Sequence, residues 1–195
     1  PSDALAGRIA AKYAIEKLGA KKAAVVTELT DYAQGLRGVY KKTFTELGGT
    51  IVSDETYTTG DTDFRTQVLK IKSAKPDVVY VVPQTVTPGV AIFKQLRESG
   101  IKVMRTTAEV LLDRTAVKDN AAVLEAVIGV EPAVDYENNP KARIIRDAHR
   151  IKFACSDPGS FAANSYDAVY LLRAAIESAG SLDTAKIRDF LYGVK

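Results

Sequence analysis

The sequence is poor in the residues that most enzyme chemistry uses. Its 195 residues include one Cys, one His, one Met and no Trp. With Cys155 alone, no internal disulfide forms, and any CxxC or Cys/His zinc arrangement is excluded. As a small apolar side chain, Cys155 is expected to be partly buried. His149 stands among basic residues recurring at helical spacing in Lys141-Ala142-Arg143-Ile144-Ile145-Arg146-Asp147-Ala148-His149-Arg150-Ile151-Lys152-Phe153, which predicts a solvated helix face and no catalytic role. The nucleotide-binding patterns G-x-G-x-x-G and G-x-x-x-x-G-K-[ST] are missing, as are the hydrolase patterns G-x-S-x-G and H-E-x-x-H. Most triad and metal mechanisms therefore lack parts, and neither a cofactor nor a metal is expected. A mechanism built on carboxylates alone is the one enzymatic reading that the residues leave open.

Net charge of one sign is also scarce. The 27 basic and 24 acidic residues leave a formal charge of +3. They are spread along the chain, so no basic stripe forms and no nucleic-acid partner is expected. No apolar run approaches the roughly 18–20 residues that span a bilayer. Neither a repeat of fixed period nor a low-complexity tract is visible. The chain opens at Pro1 with neither an initiator Met nor a signal peptide, so a processed or partial chain is expected.

What is present is a regular alternation, in a chain whose 46% hydrophobic and 26% charged residues suit a folded domain. Ser2 and Asp3 are candidate caps for a helix to about Leu18, with Leu5, Ile9, Tyr13 and Ile15 as its apolar residues and Gly19 as its stop. Ala23-Ala24-Val25-Val26-Thr27 then reads as a strand buried on both faces. From Asp31, Leu36, Val39, Tyr40, Phe44 and Leu47 recur at three and four, giving an amphipathic helix that ends at Gly48-Gly49. The cycle repeats. Strands are predicted over Thr50–Tyr57, Asp77–Val82, Lys102–Thr107 and Ala126–Val130. Helices are predicted over Asp61–Ala74 and Pro88–Ser99, and a shorter one from about Leu111. Parallel strands need such crossovers, so the fold class is α/β, an open parallel sheet with helices on both faces.

After Pro132 the rhythm changes to three helices with no strand between them, about Pro140–Phe153, Ser160–Ala179 and Thr184–Tyr192. The middle one places Val169, Leu172, Ile176 and Ala179 on one face, and Ser181 is a capping candidate for the last. Such helices need another surface to pack against. The boundary is placed at Glu131–Tyr136, which divides the chain into residues 1–131 and 132–195.

In an open parallel sheet, ligands bind beyond the carboxyl ends of the strands. That selects the segments Leu29–Gln34, Thr58–Phe64, Pro83–Pro88 and Thr107–Leu112. Thr30 and Asp31 are explained by helix capping. Tyr32 has two readings, an aromatic wall with one hydroxyl for a small amphipathic ligand, or packing across the loop. Gly60-Asp61-Thr62-Asp63-Phe64 reads as a turn followed by a cap from Asp61 or Thr62, not as paired catalytic carboxylates. Glu109 stands where a carboxylate would meet a ligand ammonium, and its rival reading is an ion pair with Arg105 or Arg114.

Several segments together resemble the type I periplasmic solute-binding proteins of the leucine/isoleucine/valine-binding class. They are Leu18-Gly19-Ala20-Lys21-Lys22-Ala23-Ala24-Val25-Val26, Asp31-Tyr32-Ala33-Gln34-Gly35-Leu36, Glu46-Leu47-Gly48-Gly49, Gly60-Asp61-Thr62-Asp63-Phe64, Lys75-Pro76-Asp77-Val78-Val79 and Lys94-Gln95-Leu96-Arg97-Glu98-Ser99-Gly100. The resemblance implies a non-enzymatic, two-lobed protein that closes on an amino acid or related small carboxylate and delivers it to the membrane permease of an ABC transporter. It implies a periplasmic or extracellular location, with lipid anchoring of the intact protein as one form. A ligand-sensing module of a receptor or regulator shares the fold and is the alternative. The family's ligand-lining Tyr matches Tyr32, and its third-strand loop points to Gln84, Thr85 and Val86. Its acid for the ligand ammonium matches Glu109, and the aromatic before its long returning helix matches Phe161. Residues 1–131 then correspond to the second ligand-binding lobe, and 132–195 to the hinge crossing and a mostly helical remnant of the first. Two departures stand out. Ala33 replaces the usual Gly, and Pro83-Gln84-Thr85-Val86-Thr87-Pro88 is unlike the leucine-binding pattern. The family's opening stretch, which supplies the groups for the ligand carboxylate, has no counterpart here.

Overall fold

The computed structural model describes residues 3–154, 158–159 and 161–194. The expectations for Ser2, Cys155 and Ser160 lie outside the described residues, as does the side chain of Asp3. The chain separates into two compact units, residues 1–131 and 132–195.

In the first unit the elements run α1 (Asp3–Glu16), β1 (Lys22–Glu28), α2 (Asp31–Glu46), β2 (Thr50–Tyr57), α3 (Arg65–Ala74), β3 (Val78–Val82), α4 (Val86–Glu98) and β4 (Met104–Ala108). A 3₁₀ turn (Glu109–Leu112), α5 (Arg114–Asp119), α6 (Ala121–Leu124) and β5 (Val127–Val130) complete it. All pairings are parallel, in the order β2-β1-β3-β4-β5. The alternation of apolar runs and amphipathic helices thus produces the expected sheet. In β3 every residue is buried, which is why Val78-Val79-Tyr80-Val81-Val82 carries no polar alternation.

One core layer joins Ala23 and Val25 of β1 and Tyr80 of β3 to Leu36, Tyr40 and Phe44 of α2 and to the small residues of α1. Within it Tyr40 stacks on Tyr80, with ring centroids 4.2 Å apart. The opposite layer joins Val26, Val79 and Val81 to Phe64, Val68, Ile71, Phe93 and Leu96 around α3 and α4. Each fully buried side chain of this size stabilises the fold by about 1.5–3 kcal/mol. Helices therefore cover both faces.

The details of several helices differ from the sequence reading. Helix α1 exposes Leu5, Ile9 and Tyr13 and buries Ala10, Ala11 and Ala14. Small residues win that face because α2 is close. A Cβ on Gly7 would stand 3.1 Å from the Leu36 carbonyl oxygen. Helix α3 starts at Arg65, not Asp61, and no side chain caps it from Phe64. Instead Gln95 reaches over from α4, accepting from Phe64 N at 2.8 Å and donating to Thr62 O at 3.1 Å. Asp61 accepts from Thr58 N and so closes the turn before the helix, while Asp63 accepts from Arg65 N.

The second unit holds α7 (Pro140–Lys152), α8 (Ala162–Ala179) and α9 (Thr184–Gly193), with no strand among its described residues. Asn139 caps α7 and Asp183 caps α9, each accepting two backbone N–H bonds. Ser181, expected as the cap, accepts from Asp183 N one turn earlier. His149 is half-buried, not fully solvated, and its ring lies 4.5 Å from that of Phe153. In α8 only Ala163 and Ala175 are buried.

Candidate functional site

Because all five strands are parallel, the segments after β1, β2, β3 and β4 emerge on one side of the sheet. The chain moves from β1 outward to β2 and then crosses back to β3 on the other flank. The neighbours β1 and β3 therefore send their following loops in opposite directions, which opens a crevice between them.

At the end of β1, at this crevice, lies Glu28, 1% exposed. Its Oε1 accepts from Thr59 Oγ1 at 2.5 Å. Its Oε2 accepts from the Gln84 backbone N–H at 2.8 Å and from the Tyr57 hydroxyl at 3.3 Å. A buried carboxylate is tolerated when donors surround it, and here all three partners donate. Its backbone is held as well, since Gln34 donates to Glu28 O at 2.8 Å and to Thr27 Oγ1 at 3.1 Å. Gln34 in turn accepts from Arg37, which donates to Asp54 at 2.7 Å. Burial would raise the Asp54 pKa, but the bonds and charges of Arg37 and Lys41 together lower it. Burial, reinforced by the Glu28 charge and hydrogen bond, pushes the Tyr57 phenol upward.

Glu28 was missed in the sequence reading, which began the first loop at Leu29. The signal was a charged residue closing the otherwise apolar run Ala23-Ala24-Val25-Val26. Its partners come from segments 31 and 56 positions away, so spacing along the chain does not reveal them.

The expected site residues take these places. Tyr32 lies in the first turn of α2, half-buried and packed against the core layer that includes Leu36, Tyr40 and Tyr80. Thr30 caps that helix, its hydroxyl accepting from Ala33 N at 3.3 Å. Gln84 and Thr85 are exposed after β3, with Thr85 at the start of α4, and Val86 packs against the layer beneath. Glu109 opens the 3₁₀ turn after β4 and is half-buried. It does not pair with Arg105, whose guanidinium donates to the carbonyls of Val123 and Glu125. Among the described residues no ion pair is found at Glu109. Its charge is close enough to Tyr80 to add to the burial and the Tyr40 neighbour that raise that phenol. Phe161, 51% exposed, stands at the start of α8 in the second unit.

Tyr32, Gln84, Thr85 and Glu109 thus follow β1, β3 and β4 on the same side of the sheet, whereas Phe161 belongs to the other unit. Among the described residues no group of three or more His, Cys, Asp or Glu is placed to hold a metal ion. No helix among them is long and apolar enough to cross a membrane.

The family model described as periplasmic binding protein matches residues 1–195. An amino acid binding protein of Pseudomonas aeruginosa is 30% identical over 189 residues, 95% of this chain and 49% of that protein. The solved leucine binding protein LivK of Thermotoga maritima superposes with a TM-score of 0.88 at 28% identity, over 97% of this chain and 54% of that one. The branched-chain amino acid transporter substrate binding protein LivJ of Streptococcus pneumoniae, solved with isoleucine, gives 0.80 at 30% identity, over 97% of this chain and 53% of that one. The chain spans about half the length of the curated relatives it matches.

Proposed function

From the premise that this chain belongs to the periplasmic binding protein family, a family of binding proteins and not of enzymes, we propose that it carries one wall of a ligand cleft for amino acids or related small carboxylates. Residues 1–131 act as the second ligand-binding lobe, and 132–195 form the hinge crossing and a partial return to the first. The observation that carries this reading is Glu109. It is a half-buried carboxylate beyond the end of the interior strand β4, with no ion pair among the described residues, on the side where such sheets bind ligands. A ligand ammonium is its natural partner, and a sheltered bond of that kind contributes about 1.5–3 kcal/mol.

Tyr32 supplies an aromatic surface, and Gln84 and Thr85 supply polar groups from the loop after β3. Phe161 is assigned to the same ligand from the second unit. The two lobes close on the ligand by a hinge motion, and the loaded protein delivers it to the permease of an ABC transporter in the periplasm or outside the cell. The likeness to LivK and LivJ supports this role.

Calorimetry on the full-length protein with a panel of L-amino acids, and with the same carboxylates lacking the amino group, tests the proposal. Glu109→Gln is expected to weaken ammonium-bearing ligands about tenfold and to leave the others nearly unchanged. Equal affinities in the two proteins would return Glu109 to a structural role. The 195-residue chain by itself is expected to bind weakly, because a buried ligand charge needs partners from both walls. Tight binding by it would contradict the half-cleft reading.

A further inference from the structure

The ligand assignment above leaves open what holds the loops after β2 and β3 in place beside the crevice. Neither loop has regular structure of its own between Thr58 and Phe64, or between Pro83 and Thr85. The loop after β2 is fixed at its far end by Gln95, through Thr62 and Phe64. Its near end, at Thr59, and the loop after β3, at Gln84, converge on the two oxygens of one carboxylate.

We propose that Glu28 is a positioning residue of the ligand site, a buried clamp that fixes the loops after β2 and β3 against the end of β1. This rests on the reading of the crevice as the ligand cleft. Three features of the geometry carry it. Both oxygens are used, one for each loop. The group is buried although charged side chains are ordinarily found in solvent, so a position that an apolar residue would fill more cheaply has been given to an acceptor. The bond to the third-strand loop is to the Gln84 backbone, so it fixes the path of the chain and not the side chain there. Glu28 touches no ligand in this scheme. It acts through Gln84 and Thr85.

The clamp predicts a local effect that a general contribution to stability would not produce. In Glu28→Met the side chain keeps its length and loses both acceptor oxygens, so both loops are released. Amide hydrogen exchange and L-leucine affinity, both measured in the full-length protein, give the two readouts. Exchange of the Gln84 amide is expected to accelerate about tenfold, while Val25 in β1 and Val81 in β3 stay within about twofold. L-leucine affinity is expected to fall about tenfold or more. Equal acceleration at Gln84, Val25 and Val81, or none at Gln84, overturns the proposal. So does local release at Gln84 with unchanged affinity. If the unmodified protein binds none of the amino acids tested, the ligand class is wrong, and the exchange pattern still decides whether Glu28 holds the loop. Should Glu28→Met not fold, Thr59→Val at an exposed position frees the loop after β2 alone. It is expected to weaken L-leucine about threefold with the Gln84 amide unchanged, and full affinity there overturns the clamp.

Discussion

The helices of the two units are made of similar residues and end in opposite surroundings. In the first unit, α3 and α4 bury Phe64, Ile71, Phe93 and Leu96 against strands of their own sheet. In the second, α8 carries an equally apolar run, Val169-Tyr170-Leu171-Leu172, yet Val169 is 66% exposed and Leu172 is 47% exposed. Amphipathicity tells a helix which face to hide but not what will hide it. Where a sheet is present in the same unit, the apolar stripe becomes core. Among the described residues of the second unit there is no strand, and the stripe stays on the surface.

The sharpest way to break this comparison is to remove one large side chain from the first unit. Phe93→Ala is expected to cost about 3–5 kcal/mol in denaturant unfolding, since Phe93 is fully buried between α4 and the sheet. A loss below about 1 kcal/mol would mean that this layer is not the core.

Alkaline titration comes next, because three buried phenols all belong to the first unit. Burial pushes Tyr40, Tyr57 and Tyr80 above their ordinary value of 10.0, with Glu28 adding to the effect at Tyr57, and Tyr40 and Glu109 adding to it at Tyr80. Below pH 10 the phenols are neutral in both the folded and the unfolded chain, and stability is at its full value. As the pH rises past 10 the unfolded chain releases protons that the folded chain keeps, so stability falls. The slope is up to about 1.4 kcal/mol per pH unit for each phenol. Unfolding midpoints measured from pH 9 to 11 should therefore hold until about pH 10 and fall beyond it, and a flat profile would show these rings to be open to solvent.

A smaller effect of opposite sign is expected at Tyr40, whose hydroxyl is buried with no hydrogen-bond partner among the described residues. Tyr40→Phe keeps the stack on Tyr80 and removes the unsatisfied group, so thermal unfolding should show no loss, or a gain of up to about 1 kcal/mol. The smallest effect is reserved for α8. Leu172→Ala in the 195-residue chain is expected to stay within about 0.5 kcal/mol in denaturant unfolding. A much larger cost for the same substitution in the full-length protein would identify the surface that α8 is patterned to meet.

How much of this was legible in advance follows the same line. The strands could be read because Ala23-Ala24-Val25-Val26 and Val78-Val79-Tyr80-Val81-Val82 are buried on both faces, a pattern that local residues set by themselves. The Thr30 cap could be read for the same reason, its partner being three residues away. The buried face of α1 could not be read, because the choice of alanines over Leu5, Ile9 and Tyr13 depends on how near α2 comes. Nor could the start of α3, where a glutamine from α4 replaces the local cap. At the site, strand order picks out the loops, and the resemblance picks Tyr32, Gln84, Thr85, Glu109 and Phe161 within them. Glu28 escaped both, because its meaning lies in segments that only the folded sheet brings together.

The bond from Glu28 to position 84 reaches the main chain and leaves the side chain uncommitted. Evolution or an engineer can thus rewrite the chemistry at position 84 without loosening the loop that presents it, with proline as the one substitution barred outright, since it has no N–H to give. A randomised library at 84 and 85, built on an untouched Glu28, is accordingly the natural place to seek altered ligand preference in a protein of this kind.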